Sequence, residues 1–517
     1  MIATGALILA LGLGATTYVD AGPFADSRLA PPDVALFVHV EGAAEIRKDL
    51  ADRPISHWIN SVIQNGEIRA AWSGLAKAAN ADEGRLLDVC LGQRCTFMTR
   101  EGGQWALVTE VNEQKTAALL RNLNVRVREP RAGFAMAELP EQEMVLARGD
   151  GVLVVGPAKQ AGLFYDVLPR LGELQPELDS LSAQPCMEHA RTLGAGRIAV
   201  YTRHKLPLGG FSAAVMTMRG ENVSIRHAAK FANAPFSHGV TKLACDFSPV
   251  LRFERESLVA FMQPTDVDDG PIESFLAANF GEGLLSPTMR KNLGDRRLVV
   301  VGEVEGRELD QPVDLLNPAV VSCMQVKDGE VALSQLDEQM TRVAHRLNDL
   351  GNGAYLIKTP PLRNLSRQEP REIDLSGATN WFTGGFPVMQ NVNLTWTVTK
   401  GPQGAWFVVA SDRKPLEDVV KTLKADCPED PKFVGRFESC GTGNGVRISR
   451  HLQSWSDHAN KFAEADQAAE FSATLRMMSE LAGGMQSCRW QLARPSANEM
   501  RLDVQITLAP PESSREE

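Results

Sequence analysis

An internal echo limits the architectures open to this chain. Residues Asn391 to Ala425 read as strand, glycine-containing turn, strand and amphipathic helix. Leu394, Trp396 and Val398 alternate with threonines, the period of a half-buried strand. Lys400-Gly401-Pro402-Gln403-Gly404 has turn chemistry, and Phe407, Val408 and Val409 carry the return strand. Asp412 is placed to cap the following helix, with Pro415 in its first turn. The same plan runs from Glu143 to Leu171: a turn at Arg148-Gly149-Asp150-Gly151, a strand at Leu153-Val154-Val155 and a helix from Ala158 to Leu168. Two copies of one unit predict a duplicated fold.

The rest of the chain can be aligned to that duplication. Val34 to Val40 predicts a strand, matched by Ser257 to Met262. Leu293-Gly294-Asp295-Arg296-Arg297 leads into Leu298-Val299-Val300-Val301 as Leu91-Gly92-Gln93-Arg94 leads into Cys95-Thr96-Phe97-Met98. The offset between copies drifts, as surface-loop insertions would make it do. Near the C-terminus Met500, Leu502, Val504 and Ile506 alternate strictly with polar residues, so one face of that strand is core and the other wet. Strands fall in hairpins with helices inserted between them, without the regular alternation of βαβ units. The predicted class is therefore α+β, two related repeats of mainly antiparallel sheet with inserted helices. Expected segments are a leader at 1–21, a linker at 22–32, repeats at 33–240 and 241–508, and a disordered tail at 509–517.

Ile2 to Val19 contains no charge, and its densest part has the length of a signal-peptide core. Val19-Asp20-Ala21 offers small residues for cleavage before Gly22. The run is also just long enough for a single membrane anchor. Either way the expected location is periplasmic or extracellular, with membrane association only through the N-terminal segment. Eight cysteines suit an exported chain. Cys427 and Cys440 flank a loop that a bridge would close, and Cys90 and Cys95 are near enough for a local one; free buried thiols are the alternative. A net charge of −10 with no aromatic-interleaved basic cluster argues against nucleic acid as a partner.

Catalytic signatures are missing. There is no G-x-S-x-G elbow and no phosphate-binding P-loop. Gly441-Thr442-Gly443-Asn444-Gly445 resembles part of a dinucleotide loop without its spacing, and reads as a flexible turn. Asp266-Val267-Asp268-Asp269-Gly270 lacks the closing glutamate of a calcium loop. His451 and His458 share a helix face with no third ligand. No catalytic residue, cofactor or metal is therefore expected. His39 and Glu41 point to one side of a strand, as a base oriented by a carboxylate would, and as a wet strand-edge pair would. Phe471, Leu475, Met478 and Leu481 form an apolar stripe on a helix, with Met477 and Met485 adding adaptable side chains. Such a stripe means packing against a sheet, or a helix lining an apolar groove.

The opening Pro31-Pro32-Asp33-Val34-Ala35-Leu36-Phe37-Val38 and the Gly149-Asp150-Gly151 hairpin resemble a group of bacterial exported proteins known by a domain-of-unknown-function label, which open after a leader with a Pro-x-Asp-x-x-x-Phe/Tyr-Val strand. The resemblance implies an envelope protein in two tandem copies and supplies no catalytic residues. The expectation is a non-enzymatic envelope protein that binds or scaffolds protein partners. The alternative is a carrier of lipid or another apolar ligand between a curved sheet and covering helices, and a hydrolase is third.

Overall fold

The structure is a computed structural model, and it describes residues 24–56, 94–111, 114, 125–172, 179–203, 209–233, 244–265, 287–302, 319–350, 369–374, 393–427, 429–459 and 465–511. The leader, Cys90, the acidic turn at 266–270 and most of the tail lie outside these residues. No described helix is long and apolar enough to cross a membrane. The chain divides into two compact units, one of residues 1–235 with 496–517 and one of residues 236–495. Both combine helices with an antiparallel sheet, so the fold is α+β.

Unit 1 contains β1 (Leu36–Glu41), β2 (Arg94–Thr99), β3 (Trp105–Glu110), β4 (Arg126–Arg131), β5 (Phe134–Leu139), β6 (Met144–Gly149), β7 (Val152–Pro157), β8 (Ile198–Arg203), β9 (Phe211–Arg219) and β10 (Asn222–Lys230). A strand from the end of the chain, β21 (Glu499–Leu508), joins them. All pair antiparallel, in the order β4-β5-β6-β7-β3-β2-β1-β8-β9-β10-β21. The β6–β7 turn is Asp150-Gly151 with φ of 49° and 73°, the left-handed pair that a two-residue hairpin requires. Unit 1 also holds helices α1 (Ala43–Ala51), α2 (Gly162–Gly172) and α3 (Pro185–Arg191). Leu163, Phe164, Val167 and Leu168 of α2 join one core with Phe37, Met98, Val108, Val154 and Tyr201 of the sheet.

The described part of the expected linker, residues 24–32, is not free. Phe24, Leu29 and Ala30 belong to the same core, and a 3-10 turn at Ala25–Leu29 holds them there. The C-terminal strand also departs from expectation. Residues 499–508, placed by sequence in the second repeat, pair with β10 in unit 1, where β21 follows the predicted period of two, but Met500, Leu502, Val504 and Ile506 are half-buried and do not enter the core.

Unit 2 contains β12 (Val259–Pro264), β13 (Leu293–Gly302), β14 (Ala319–Val326), β15 (Arg371–Asp374), β16 (Asn393–Gly401), β17 (Gly404–Ala410), β19 (Ser439–Asn444) and β20 (Met485–Ser496). Their antiparallel order is β15-β16-β17-β14-β13-β12-β19-β20. A separate two-stranded ribbon pairs β11 (Cys245–Asp246) with β18 (Val434–Gly435). Helices are α4 (Pro287–Asn292), α5 (Gly329–Leu350), α6 (Arg413–Lys424), α7 (Gly445–Asp457) and α8 (Ala465–Gly483). On one face Leu416, Val419 and Leu423 of α6 meet Met262, Leu298, Cys323 and Val408. On the other, Leu333, Leu336 and Met340 of α5 meet Trp396 and Phe407.

That double cover corrects the half-buried reading of β16. Trp396 and its neighbours Thr395, Thr397 and Thr399 are all buried, because helices pack on both faces of the strand. The buried indole N–H is satisfied by Asp337 Oδ1 at 2.8 Å, from α5. Asp412 does stand at the N-cap of α6, but its side chain makes no cap hydrogen bond.

Candidate functional site

Helices α7 and α8 stand between the adjacent strands β19 and β20 as one antiparallel hairpin. Its start is set by Asn444, whose side chain accepts from Arg447 N at 3.1 Å and so caps α7. The expected flexible turn at 441–445 is instead the buried strand β19, and its glycines serve packing. A Cβ on Gly441 would lie 2.1 Å from Trp490 Cζ2, and one on Gly445 2.2 Å from Met485 O. The base is further tied to residues 254 and 255. Arg489 donates to both oxygens of Glu254 at 2.9 and 2.6 Å, and Arg447 Nε donates to Arg255 O at 3.0 Å. Burial alone would raise the Glu254 carboxyl, but the Arg489 hydrogen bond and charge outweigh it and hold it below the ordinary range.

Serines clasp the two helices together. Ser449 and Ser479 face each other, with Ser479 Oγ donating to Ser449 O at 2.8 Å. One turn pair further out, Ser456 and Ser472 bring their hydroxyls to 2.8 Å, each within 3.1 Å of the other's carbonyl oxygen. Both pairs repeat at seven residues, so they lie on one stripe of each helix. Small side chains let the helices approach closely, and Leu475 is buried in the same seam at 5% exposure.

The predicted stripe therefore divides. Leu475 turns into the seam, whereas Phe471 and Met478 are 40% and 47% exposed and Leu481 is half-buried. At 100° per residue, Phe471, Met478 and Leu481 lie on one flank of the α8 seam. Ile448, Leu452 and Trp455, all half-buried, occupy the flank of α7 that antiparallel packing turns to the same side. The hairpin thus carries one apolar face shared by both helices, a pattern the sequence held in the serine spacing but which the stripe on α8 alone did not reveal.

A second apolar surface lies on the sheet of unit 2. Trp490, Gly441, Phe261 and Val299 are directly opposite one another across four strands, so they share a face. Trp490, Phe261 and Val299 are half-buried, while Ala260 and Met262, pointing the other way, are fully buried.

His39 occupies a different setting in unit 1. The carboxylate against its ring is that of Asp26, from the 3-10 turn, in place of the expected Glu41. Thr96 donates its hydroxyl to Asp26 Oδ2 at 3.0 Å, so His39 Nδ1, 3.0 Å from the same hydroxyl oxygen, carries the proton and donates. Arg94 Nη2 donates to Asp26 Oδ1 at 2.7 Å. With His39 2% and Asp26 6% exposed, and with the Thr96 proton committed to a carboxylate, the cluster clamps residues 24–30 to the sheet. The missed signal was Asp26 itself, which sits in a stretch whose composition looked like linker.

The expected bridge between Cys427 and Cys440 is absent. Cys440 is an unbridged thiol buried in β19, and Cys427 Sγ donates to Ser248 O at 3.7 Å. The sheet aims Cys440 into the core, and among the described residues it is bonded to no other cysteine. Cys95 is also free and buried.

No family model matches the chain, and no curated protein matches it. Solved structures of TP0453 are similar to part of it. Crystal form III gives a TM-score of 0.27 at 12% identity, covering 43% of this chain and 84% of that one. Crystal form I gives 0.26 at 13% identity, covering 43% and 83%. Likeness at this level fixes neither fold nor role.

Proposed function

We propose that this chain is a non-enzymatic binding module of the cell envelope, that its two units are copies of one α+β fold, and that it engages protein partners through the α7/α8 hairpin. The duplication is supported by strand order. Taken by position in each unit, β5-β6-β7-β3-β2-β1-β8-β9 and β15-β16-β17-β14-β13-β12-β19-β20 follow the same path. One observation carries the functional reading. The link between β8 and β9 is residues 204–210, whereas the corresponding link between β19 and β20 is residues 445–484 and holds the whole hairpin. A long insertion that the sheet does not need, displaying Phe471, Met477 and Met478, fits a recognition element. Methionine and aromatic side chains are suited to adaptable partner surfaces.

The test is capture from an envelope fraction with the full chain as bait. A stable partner lost on Phe471→Glu with Met478→Glu supports the reading; capture unaffected by that double variant rejects the hairpin as the site.

The half-buried row Trp490, Phe261 and Val299 favours a second reading, an apolar ligand carried on the sheet of unit 2. Native mass spectrometry of the purified chain would then find a co-purifying lipid, and Phe261→Asp would abolish it.

A further inference from the structure

Resting on the reading of the unit 2 sheet as a ligand surface, we infer that its ligand is a long-chain fatty acid. The carboxylate lies on Arg297 and the chain crosses Phe261 and Val299. The site is a gap between two helices on one face of the sheet. Val299 lies opposite Ser322, Ser322 opposite Val409 and Val409 opposite Trp396, so this is the face that α5 covers at β16 and β17. At the other end Ile448 of α7 closes over Gly443 of β19, 3.5 Å from where a Cβ would stand. Four strand spacings separate β17 from β19, about 19 Å, whereas helices in direct contact stand about 8 to 10 Å apart. Among the described residues, α5 and α7 thus leave a strip over β14, β13 and β12 between them. There Val320 is 43% exposed, and Phe261, Val299 and Val301 are half-buried.

Width and charge select that class of ligand. Along the strands the apolar strip is two side chains wide, Val259 with Phe261 on β12 and Val301 with Val299 on β13. That is about 7 Å, room for one acyl chain and not for the pair of a phospholipid. On one side the strands end, at Val259 and Gly302. On the other, Gln263 and Arg297 stand directly opposite each other, and Arg297 Nε donates to Gln263 Oε1 at 3.1 Å. Burial holds the Arg297 guanidinium below its ordinary pKa, so on balance its surroundings support the charge less well than water does. A carboxylate laid on the planar fork supplies counter-charge through two parallel N–H···O bonds. One guanidinium balances one negative charge, whereas a phosphate monoester brings about two.

Displacement of the neutral probe N-phenyl-1-naphthylamine from the delipidated full chain tests this, with palmitate and 1-hexadecanol as competitors of equal chain length. Palmitate should bind about tenfold more tightly than the alcohol, the size of one charge-assisted contact. Arg297→Met should erase that preference while leaving the alcohol unchanged, and Arg297→Lys, which keeps the charge, should retain most of it. Phe261→Asp should abolish both. Equal affinity for acid and alcohol, a preference that survives Arg297→Met, or a two-chain phospholipid co-purifying with the chain overturns the fatty-acid assignment. If the alcohol binds as well as the acid and Phe261→Asp removes both, the surface still carries an apolar ligand and only the head group changes. If neither displaces the probe, the carrier reading falls with the inference.

Discussion

At the scale of single residues, the most consequential contact is the one that holds Asp26 beneath β1 and β2. Burial pushes its carboxyl up, but the hydrogen bond and charge of His39, with the Arg94 charge and the Thr96 hydroxyl, outweigh this and leave it below the ordinary carboxylate value. A carboxyl depressed in the folded state contributes stability that is fully present above its unfolded value, near 3.9, and is lost as pH falls through the folded value. Acid should therefore loosen residues 24–30 before it unfolds the sheet. Asp26→Ala removes one partner of a buried pair and should cost roughly 3 to 5 kcal/mol, read from denaturant melts at pH 7. A variant with an unchanged melt and an unchanged acid limb would show that the clamp contributes nothing. Thiols give an independent reading of the same core. Burial and the neighbouring Asp26 charge push Cys95 up to about 12, so it should resist alkylation at pH 8 and react once Asp26→Ala opens its cover.

At the scale of elements, the hairpin is expected to be separable from the sheet that bears it. Replacing residues 446–483 by a short glycine-serine loop leaves the β19–β20 ladder and the Glu254–Arg489 pair in place, and a shorter connection closes at little entropic cost. Its thermal midpoint should stay within a few degrees of the parent while partner capture vanishes; a chain that no longer folds would mean the hairpin is structural. This element also marks where sequence pattern stopped being informative. Strand, turn, strand and helix were readable at 144–172 and 393–424, because Asp150-Gly151 and Gly401 to Gly404 fix the turns and α6 is strongly amphipathic. Periodicity reports how apolar a face is but not what covers it. For that reason Trp396 read as half-buried although α5 lies over it, and Leu475 read like Met478 although only one meets α7. Glycines misled in the same way: a run rich in them suggests a turn, yet in β19 they admit Trp490 and the start of α7.

At the scale of the molecule, the first unit is completed by a strand about 270 residues further along the chain. β21 pairs with β10 over its whole length, from Asn222 with Thr507 to Lys230 with Glu499, and Phe231 N donates to Asn498 O at 2.8 Å. Arg53 Nη1 donates to Ala509 O at 3.3 Å, so the segment beyond the strand is held as well. Pairing across so long a sequence separation forms late, because the loop entropy must be overcome before the contacts are made. No local pattern could have indicated it: alternation at 500–506 shows that the strand has a wet face and a dry one, and is silent on which neighbour it joins. Until it arrives, β10 presents an unpaired edge, the kind of surface that invites pairing with another chain. Ending the chain at Pro495 should therefore speed amide exchange at residues 222–230 by orders of magnitude and promote aggregation, while exchange in β12 to β14 stays as in the full chain. Protection at 222–230 that survives the truncation would mean that β10 is secured by β9 alone, and that β21 is not needed to hold unit 1 together.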